Sequence, residues 1–357
     1  MLLPTTASTV WILAIVSLLC LGSWANTLKL SGKWHFEYFY FDFVFGLLLS
    51  AGAAALLLGA AHSQELTFQD NMLLAGYRKM SWALGSGVML NIGTLLLLAS
   101  VTLSGMSVAF PLTLGVALVI GTVWDFANAT QAGAPLTLGG AALLLAAVVV
   151  IAIAYAWNLQ DRQKAAQTPL QADPRVKPKR AKSPGAALAI LLAVFGGIAL
   201  SMFPRILAEA TGGENGLAAY SAMLLLAISA VLSSPFFVLF FTTFPVTGAA
   251  GNARGYLGGT GKQHLLGLTG GILWGAGMLS YLLMAGAPAN AQPGASIPNA
   301  IIQYMLTHGA VLVAAVWGLL AWGEFRGASQ RVHLLVAGML VLLLAGLGMV
   351  AFAFSPK

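Results

Sequence analysis

Charge and cysteine are the scarcest features of this 357-residue sequence. Charged residues make up 8% of the chain against 59% hydrophobic, and the mean hydropathy is +0.87, which excludes an ordinary soluble domain. The single cysteine, Cys20, excludes an intramolecular disulfide. The N-terminal MLLPTTASTVW contains no Lys or Arg, so we expect a first spanning helix and not a cleaved signal peptide. These shortages indicate an integral membrane protein.

Several kinds of chemical site are also missing. GGTGKQ (258–263) ends like a phosphate-binding loop, but Tyr256 replaces the first glycine and Gln263 the required Ser or Thr. The histidines His62, His264, His308 and His333 have no acid at ligand spacing, so we expect no metal site and no cofactor. No nucleophile with a base and no carboxylate pair lies near the middle of a span. An enzyme is therefore not expected.

Ten apolar runs of about 20 residues fill the chain, the length that crosses a hydrocarbon core of about 30 Å as a helix. We number the predicted spans 1 to 10: 9–28, 39–62, 80–102, 105–128, 135–157, 185–205, 217–243, 263–285, 299–321 and 331–353. No soluble segment of domain size remains between them. The lipid bilayer is thus the solvent of most of the chain.

Basic residues set the predicted orientation of the spans. The polar segment 161–184 holds seven of the 17 Lys and Arg residues and is expected to be a disordered cytoplasmic linker. Alternation of the spans places six more bases on that side: Lys29, Lys33, Arg254, Lys262, Arg326 and Arg331. Both termini are then extracytoplasmic, in a bacterial inner membrane or a plasma membrane. Because topology explains the net charge of +7, no nucleic-acid partner is expected.

The linker, residues 158–184, separates two halves of five spans each, residues 1–157 and 185–357. Weak matches recur in the same order in both halves: TVWDF (122–126) ends span 4, and LAWGEF (320–325) ends span 9. Five spans per half place the second half upside down in the membrane. We therefore predict an all-α, polytopic membrane protein with ten transmembrane helices in a 5+5 inverted repeat. Such a repeat favours a carrier that works by alternating access.

Polar side chains inside the membrane separate two types of span. Spans 5 and 10 are almost purely aliphatic, which suits contact with lipid or with a second copy in a homodimer. Polar groups elsewhere normally face an interior or a wet cavity, although hydrogen bonding between helices is the alternative. On this basis the predicted substrate site includes Asn26, Asn91, Gln303 and His308.

One face of span 8 alternates small and aromatic residues, since Gly270, Trp274, Gly277 and Tyr281 follow helical spacing. Aromatic rings with polar tips suit stacking on a sugar or heterocycle, so Trp274 and Tyr281 join the predicted site. A packing seam is the alternative. In span 4, Pro111 breaks the helical hydrogen bonding and indicates either a cavity wall or a simple kink.

Three segments together resemble the drug/metabolite transporter superfamily, in its rhamnose/proton symporter, glucose and ribose uptake and plant ureide permease branches. These segments are GMSVAFPLTLGVALVIGTV (105–123), GGILWGAGMLSYLLM (270–284) and GLLAWGEFRG (318–327). CLGSWANTLKL in span 1 is similar as well, and Trp24 within it is a further candidate for the substrate site. The resemblance implies uptake of a small polar solute, with protons as the coupling ion.

Four acids are not explained by solvated loops. Asp42 and Glu37 lie at the cytoplasmic start of span 2, where Asp42 is the first candidate to carry a coupling proton and Glu37 the second. Pairing with Lys29 or Lys33 would instead make Asp42 structural. Asp125 and Glu324 occupy matching positions in the repeat and are predicted to be gates or boundary ion pairs, with Arg326 beside Glu324.

The sequence thus predicts a proton-coupled secondary transporter that takes up a sugar or a similar small polar metabolite. One alternative is a ureide or nucleobase-like permease, or an exporter or exchanger, of the same fold. An alternative of another class is a nontransporting membrane scaffold or sensor.

Overall fold

The computed structural model describes residues 2–60, 66–128, 133–171, 186–248, 250–294 and 296–355, and at 166–171, 289 and 297 the backbone alone. Its regular structure is entirely helical: α1 Ala7–Ser23, α2 Asn26–Leu30, α3 Phe36–Ala54, α4 Phe68–Ser104, α5 Met106–Asn128, α6 Ala134–Gln171, α7 Ala186–Thr211, α8 Ala219–Thr243, α9 Ala253–Leu257, α10 Gly261–Ala285, α11 Ile297–His308, α12 Ala310–Val316 and α13 Gln330–Ala353. Short π-helical turns extend α3 over Ala55–Gly59 and α12 over Trp317–Ala321, and a 3₁₀ turn covers Ala289–Ala291.

Within the described residues, nine helical segments are long and apolar enough to cross a membrane. A tenth span forms if the bent pair Pro298–His308 and Ala310–Ala321, which meet at 54°, counts as one crossing. The predicted all-helical, polytopic membrane fold is confirmed.

Helix boundaries depart from the hydropathy runs where capping groups extend a helix into the polar layer. At the start of α4, Thr67 accepts a hydrogen bond from the Asp70 N–H, and the Asp70 carboxylate accepts one from the Thr67 N–H. The helix therefore begins twelve residues before the predicted span 3. α6 likewise continues past residue 157 to Gln171. The rest of the predicted linker, from 172, lies outside the described residues.

The GGTGKQ segment that ends like a phosphate-binding loop serves as the beginning of α10. Thr260 Oγ1 accepts a hydrogen bond from the Gln263 N–H, and Gln263 Oε1 accepts one from the Thr260 N–H at 2.9 Å. This capping box satisfies backbone groups that would otherwise be unpaired at a helix N-terminus. Gln263, which disqualifies the phosphate motif, is thus the residue that the helix start requires.

Pro111 does not interrupt its span, whereas predicted span 9 is bent. α5 runs without interruption through Pro111, and α11 and α12 meet at Gly309 with a bend of 54°. Of the two alternatives for Pro111, a kink and a cavity wall, the residue lies in a continuous helix.

Helix packing in the two predicted halves is similar. α4 of the first half packs on α7 and α8, and α10 of the second packs on α1 and α3. α5 packs on α6 and α7, and α11 and α12 pack on α13 and α1. These main contacts correspond when the halves are exchanged, as expected for the predicted repeat.

The two aliphatic spans, α6 and α13, pack against each other at one side of the bundle. Leu144, Leu343 and Leu347 are buried between them, whereas Leu145 and Val341 are exposed. An apolar outer face with no protein covering it matches the predicted contact with lipid or a second copy.

Candidate functional site

A cavity of about 420 Å³ lies between α1, α4, α5, α7, α10 and α11. The aromatic residues of its wall are Trp24, Phe110, Phe203, Trp274, Tyr281 and Tyr304. Its polar groups are Thr94, Thr122, Asp125, Ser201, Arg205, Thr307 and His308. Small-solute sites commonly combine a largely apolar surface with a few placed polar groups, and this cavity has that composition.

The cavity is open at one end of the bundle and closed at the other. Asp125, at the end of α5, has a side chain that is 59% exposed, whereas Trp24 and Phe110 deep in the cavity are 2% and 1% exposed. We call the two ends of the bundle the Asp125 end and the Glu324 end. In the predicted orientation the Asp125 end is extracytoplasmic.

The predicted face of α10 both lines the cavity and packs against α1. Trp274 and Tyr281 line the cavity together with Met278. The glycines on this face pack elsewhere, because a Cβ on Gly277 would lie 2.9 Å from Cys20 Cβ in α1. Alternate residues of this one face therefore line the cavity and pack against a neighbouring helix, and the binding role of Trp274 and Tyr281 stays a prediction.

The end of α11 brings a stacked pair to the cavity wall. The rings of Tyr304 and His308 lie 4.1 Å apart at 25°, and His308 Nδ1 lies 3.1 Å from the Tyr304 carbonyl oxygen. Thr307 lines the cavity between them, whereas the predicted Gln303 is not part of the wall. Tyr304 was missed, although its spacing of four residues from His308 places both on one helical face.

Asn91 and Asn26, both predicted to bind substrate, lie outside the cavity wall and join helices. Asn91 donates to the Ala230 carbonyl at 2.9 Å and to Ser233 Oγ at 2.7 Å, and it accepts a hydrogen bond from Tyr40. Asn26 donates to the Ser23 carbonyl at 2.8 Å and accepts from Trp322 Nε1 at 2.7 Å. Buried amides with these partners act between helices, which is the alternative that the sequence left open.

Asp125 pairs with Arg205 at the open end, at 2.9 Å between Oδ1 and Nη2. Arg205 also donates to the Ser201 carbonyl at 2.7 Å and to the Gly121 carbonyl at 2.8 Å. Sequence reasoning missed Arg205 as a cavity residue, because it is the last residue of predicted span 6 (185–205). The following helix-forming residues ILAEA were the available signal, since α7 continues to Thr211.

Glu324 lies at the closed end with a side chain that is 10% exposed. It accepts backbone hydrogen bonds at 2.7 Å from Met106 and from Ser107 at the start of α5, and a further one from the Ser107 hydroxyl. Its ion pair is with Lys29 at 2.8 Å. The predicted neighbour Arg326 forms no ion pair with a described residue. A carboxylate at a helix N-terminus gains from both free N–H groups and the helix dipole.

Asp42 and Glu37 are both buried and both lie away from the cavity wall. Asp42 accepts a hydrogen bond from the Tyr256 hydroxyl at 2.6 Å and contacts His264 Nδ1 at 2.8 Å. Burial and this hydrogen bond raise the pKa of Tyr256, in the short helix α9. Glu37 lies 3.6 Å from His35 Nδ1. The partners of Asp42 are therefore these two residues and not the predicted Lys29 or Lys33, because Lys29 is held by Glu324.

No cluster of three or more His, Cys, Asp or Glu side chains suited to a metal ion occurs among the described residues. The cavity itself has a volume of about 420 Å³ and reaches the surface at the Asp125 end.

The chain is similar to plant ureide permeases. It is 24% identical to ureide permease 4 of Arabidopsis thaliana over 386 aligned positions, which cover 93% of each protein. It is 23% identical to ureide permease 1 of the same plant over 376 positions, which cover 92% of each. No protein-family model matches the chain. This similarity along nearly the whole length, with the multispan helical fold, supports a membrane transporter of a small solute and not an enzyme.

Proposed function

We propose that the chain is a secondary transporter that takes up a small, neutral, cyclic polar solute by alternating access. The observation that supports this most directly is the cavity open at the Asp125 end, with Trp24 and Phe110 deep inside it. A central pocket that reaches the surface at one end is what alternating access requires of one state, and the cavity supports the proposal in this respect. The matching contacts of the two halves support a rocking exchange of the open and closed ends.

The wall of the cavity favours a ring-shaped solute. Trp274 and Tyr281 offer flat faces for stacking, and the hydroxyls of Thr94 and Thr307 can exchange hydrogen bonds. A ureide or nucleobase-like ring fits this wall, and the two relatives named as ureide permeases favour it. A sugar, the solute expected from the sequence, has the same combination of an apolar face and hydroxyl groups and is the second class to test.

Transport itself is tested by counterflow in proteoliposomes, with radiolabelled allantoin, uracil and glucose as probes. We expect one of these classes to exchange, and we expect a pH gradient to drive net accumulation. Trp274→Ala should reduce counterflow of that solute, whereas Trp157→Ala on the exposed face of α6 should leave it unchanged. Absence of exchange across the panel would favour a scaffold or sensor, and exchange with accumulation in the opposite direction would favour an exporter.

Asp42 is our proposed carrier of the coupling proton. It is a buried carboxylate that shares hydrogen bonds with Tyr256 and His264, both able to hold or pass a proton. Asp42→Asn keeps the shape and removes the titrating carboxyl. We expect loss of uphill, pH-driven uptake with counterflow intact, and Glu37→Gln is the next variant if uphill uptake survives.

In the proposed orientation, the protein spans a bacterial inner membrane or a plasma membrane. Both termini lie outside, and the linker lies in the cytoplasm. Val176→Cys in a Cys20→Ser background should react with an impermeant maleimide only after the cytoplasmic side is exposed. If the reagent labels intact cells, the linker lies outside, and the Asp125 end then faces the cytoplasm.

A further inference from the structure

Two side chains of opposite charge, Asp125 and Arg205, belong to the cavity wall and form an ion pair. Their side chains meet at 2.9 Å near the open end. The other titratable groups of the wall, Tyr281, Tyr304 and His308, are neutral or only partly charged at pH 8. The wall as a whole therefore has no net charge while the pair is intact.

Arg205 is held in place by more than Asp125. Its guanidinium donates to the Ser201 and Gly121 carbonyls, on α7 and α5, and lies 5.4 Å from the Trp124 ring. Three anchors remain when the carboxylate is removed. Asp125 by contrast is largely exposed and has this one ion-pair partner.

We infer that the Asp125–Arg205 pair determines charge selectivity: it keeps the cavity neutral, so that a charged solute finds no counter-ion. This inference rests on the proposed function for its solute, but the electrostatic state of the cavity can be measured without any solute. A brace between α5 and α7 is the alternative role for the pair. If the pair only holds α5 and α7 together, substituting either residue should change stability but not the preference of the cavity for one sign of charge.

The first test measures the potential in the cavity with charged thiol reagents. Thr307→Cys in a Cys20→Ser background supplies one thiol on the wall; the Thr307 hydroxyl donates only to the Gln303 carbonyl of its own helix. The rates of reaction at pH 8 are compared for an anionic reagent, 2-sulfonatoethyl methanethiosulfonate, and a cationic one, 2-(trimethylammonium)ethyl methanethiosulfonate.

Asp125→Asn should raise the anionic-to-cationic rate ratio by about tenfold, because a fixed cation then faces the cavity. Glu209→Gln removes the same charge from an exposed site of α7 outside the wall and should change the ratio by less than about twofold. Arg205→Gln should shift the ratio in the opposite direction. Arg205→Lys keeps the positive charge and should give the ratio of the intact protein. Equal shifts for Asp125→Asn and Glu209→Gln would overturn the inference.

The second test uses matched solutes that keep the ring and add a carboxylate: uracil with orotate, and glucose with glucuronate. Binding is measured by the thermal shift of the purified protein. The intact protein should bind the neutral member of one pair, and Asp125→Asn should gain at least about tenfold in affinity for its anionic partner relative to the neutral one. If no neutral probe binds the intact protein while the reagent ratios shift as expected, the proposed solute fails and the charge selectivity stands.

Discussion

Asp125 and Glu324 lie at opposite ends of the bundle, and their surroundings are opposite. Asp125 is 59% exposed and has one ion pair with a described residue, whereas Glu324 is 10% exposed and has a lysine, two backbone N–H groups and a hydroxyl as partners. In the predicted repeat these acids occupy matching positions, so we expect alternating access to exchange their surroundings. The comparison teaches that one carboxylate is held by several buried donors and the other by a single exposed ion pair.

Helices α3 and α10 cross closely. A Cβ on Gly46 of α3 would collide with the carbonyl oxygen of Leu268 in α10, and one on Gly271 with that of Phe43. Gly52, on another face of α3, has no other group within 4 Å of its Cβ position. The two helices therefore approach backbone to backbone at this crossing, and Gly52 offers a matched glycine of the same helix away from it.

The largest expected effect is that of Gly46→Ala. The added methyl group meets backbone and not a movable side chain, so we expect a loss of about 3 kcal/mol or more in the free energy of unfolding. Gly52→Ala, in the same helix, should be neutral or stabilise by up to about 1 kcal/mol. Thermal unfolding in one detergent compares the two variants, and equal stability would show that the α3–α10 crossing is not tight.

Glu324→Gln should have the next largest effect. The amide keeps the shape but leaves Lys29 without its counter-ion and weakens the cap of α5, so we expect a loss of about 2 kcal/mol in stability. Asp161→Asn, which changes a carboxylate bonded to Ser329 on the same side of the bundle, should cost less than about 0.5 kcal/mol. Similar costs would mean that Glu324 is an ordinary surface acid.

Asn91 and Trp274 should separate stability from binding. Asn91→Ala removes three hydrogen bonds between helices and should lower stability by about 2 kcal/mol without a direct effect on the cavity. Trp274→Ala should instead weaken solute binding about tenfold, near 1.4 kcal/mol. Binding and unfolding are measured on the same preparations. If Asn91→Ala binds solute more weakly but unfolds like the intact protein, Asn91 belongs to the binding site after all.

The smallest expected effect on stability is that of Asp125→Asn. The ion pair is exposed and Arg205 keeps its carbonyl partners, so we expect a change below about 1 kcal/mol. Measured beside Glu324→Gln, this variant tests the comparison directly. A loss as large as that of Glu324→Gln would show that the open end is held together by the same kind of contact.

Hydropathy predicted the spans because burial in lipid requires about 20 apolar residues, but it could not predict where helices end. Thr67 begins α4 through a capping box that no apolar run includes. Helical spacing placed Trp274 and Tyr281 on one face, and both line the cavity. The sequence could not show whether Asn91 faces a cavity or a helix, since both suit a buried amide.

Two pairs at the Glu324 end could not be predicted for another reason. Glu324 with Lys29 and Asp42 with His264 join residues more than 200 positions apart, and spacing along the chain carries no information on such contacts. Sequence reasoning could consider only nearby bases as partners, such as Arg326 for Glu324 and Lys33 for Asp42. Only the packing of the two halves determines which base reaches which acid.

The bend at Gly76 connects the protein to the thickness of its bilayer. A straight helix of 37 residues would be about 55 Å long, far more than the hydrocarbon layer, and α4 departs from helical geometry at Gly76 with φ of 72°. Leu73, Leu74 and Tyr77 are exposed at this bend. Side chains of this kind anchor a segment at the interface. Hydrophobic mismatch at this anchor would therefore act on the open end first, because α4 lines the cavity, and lipid chain length becomes a means of shifting the balance between its two states.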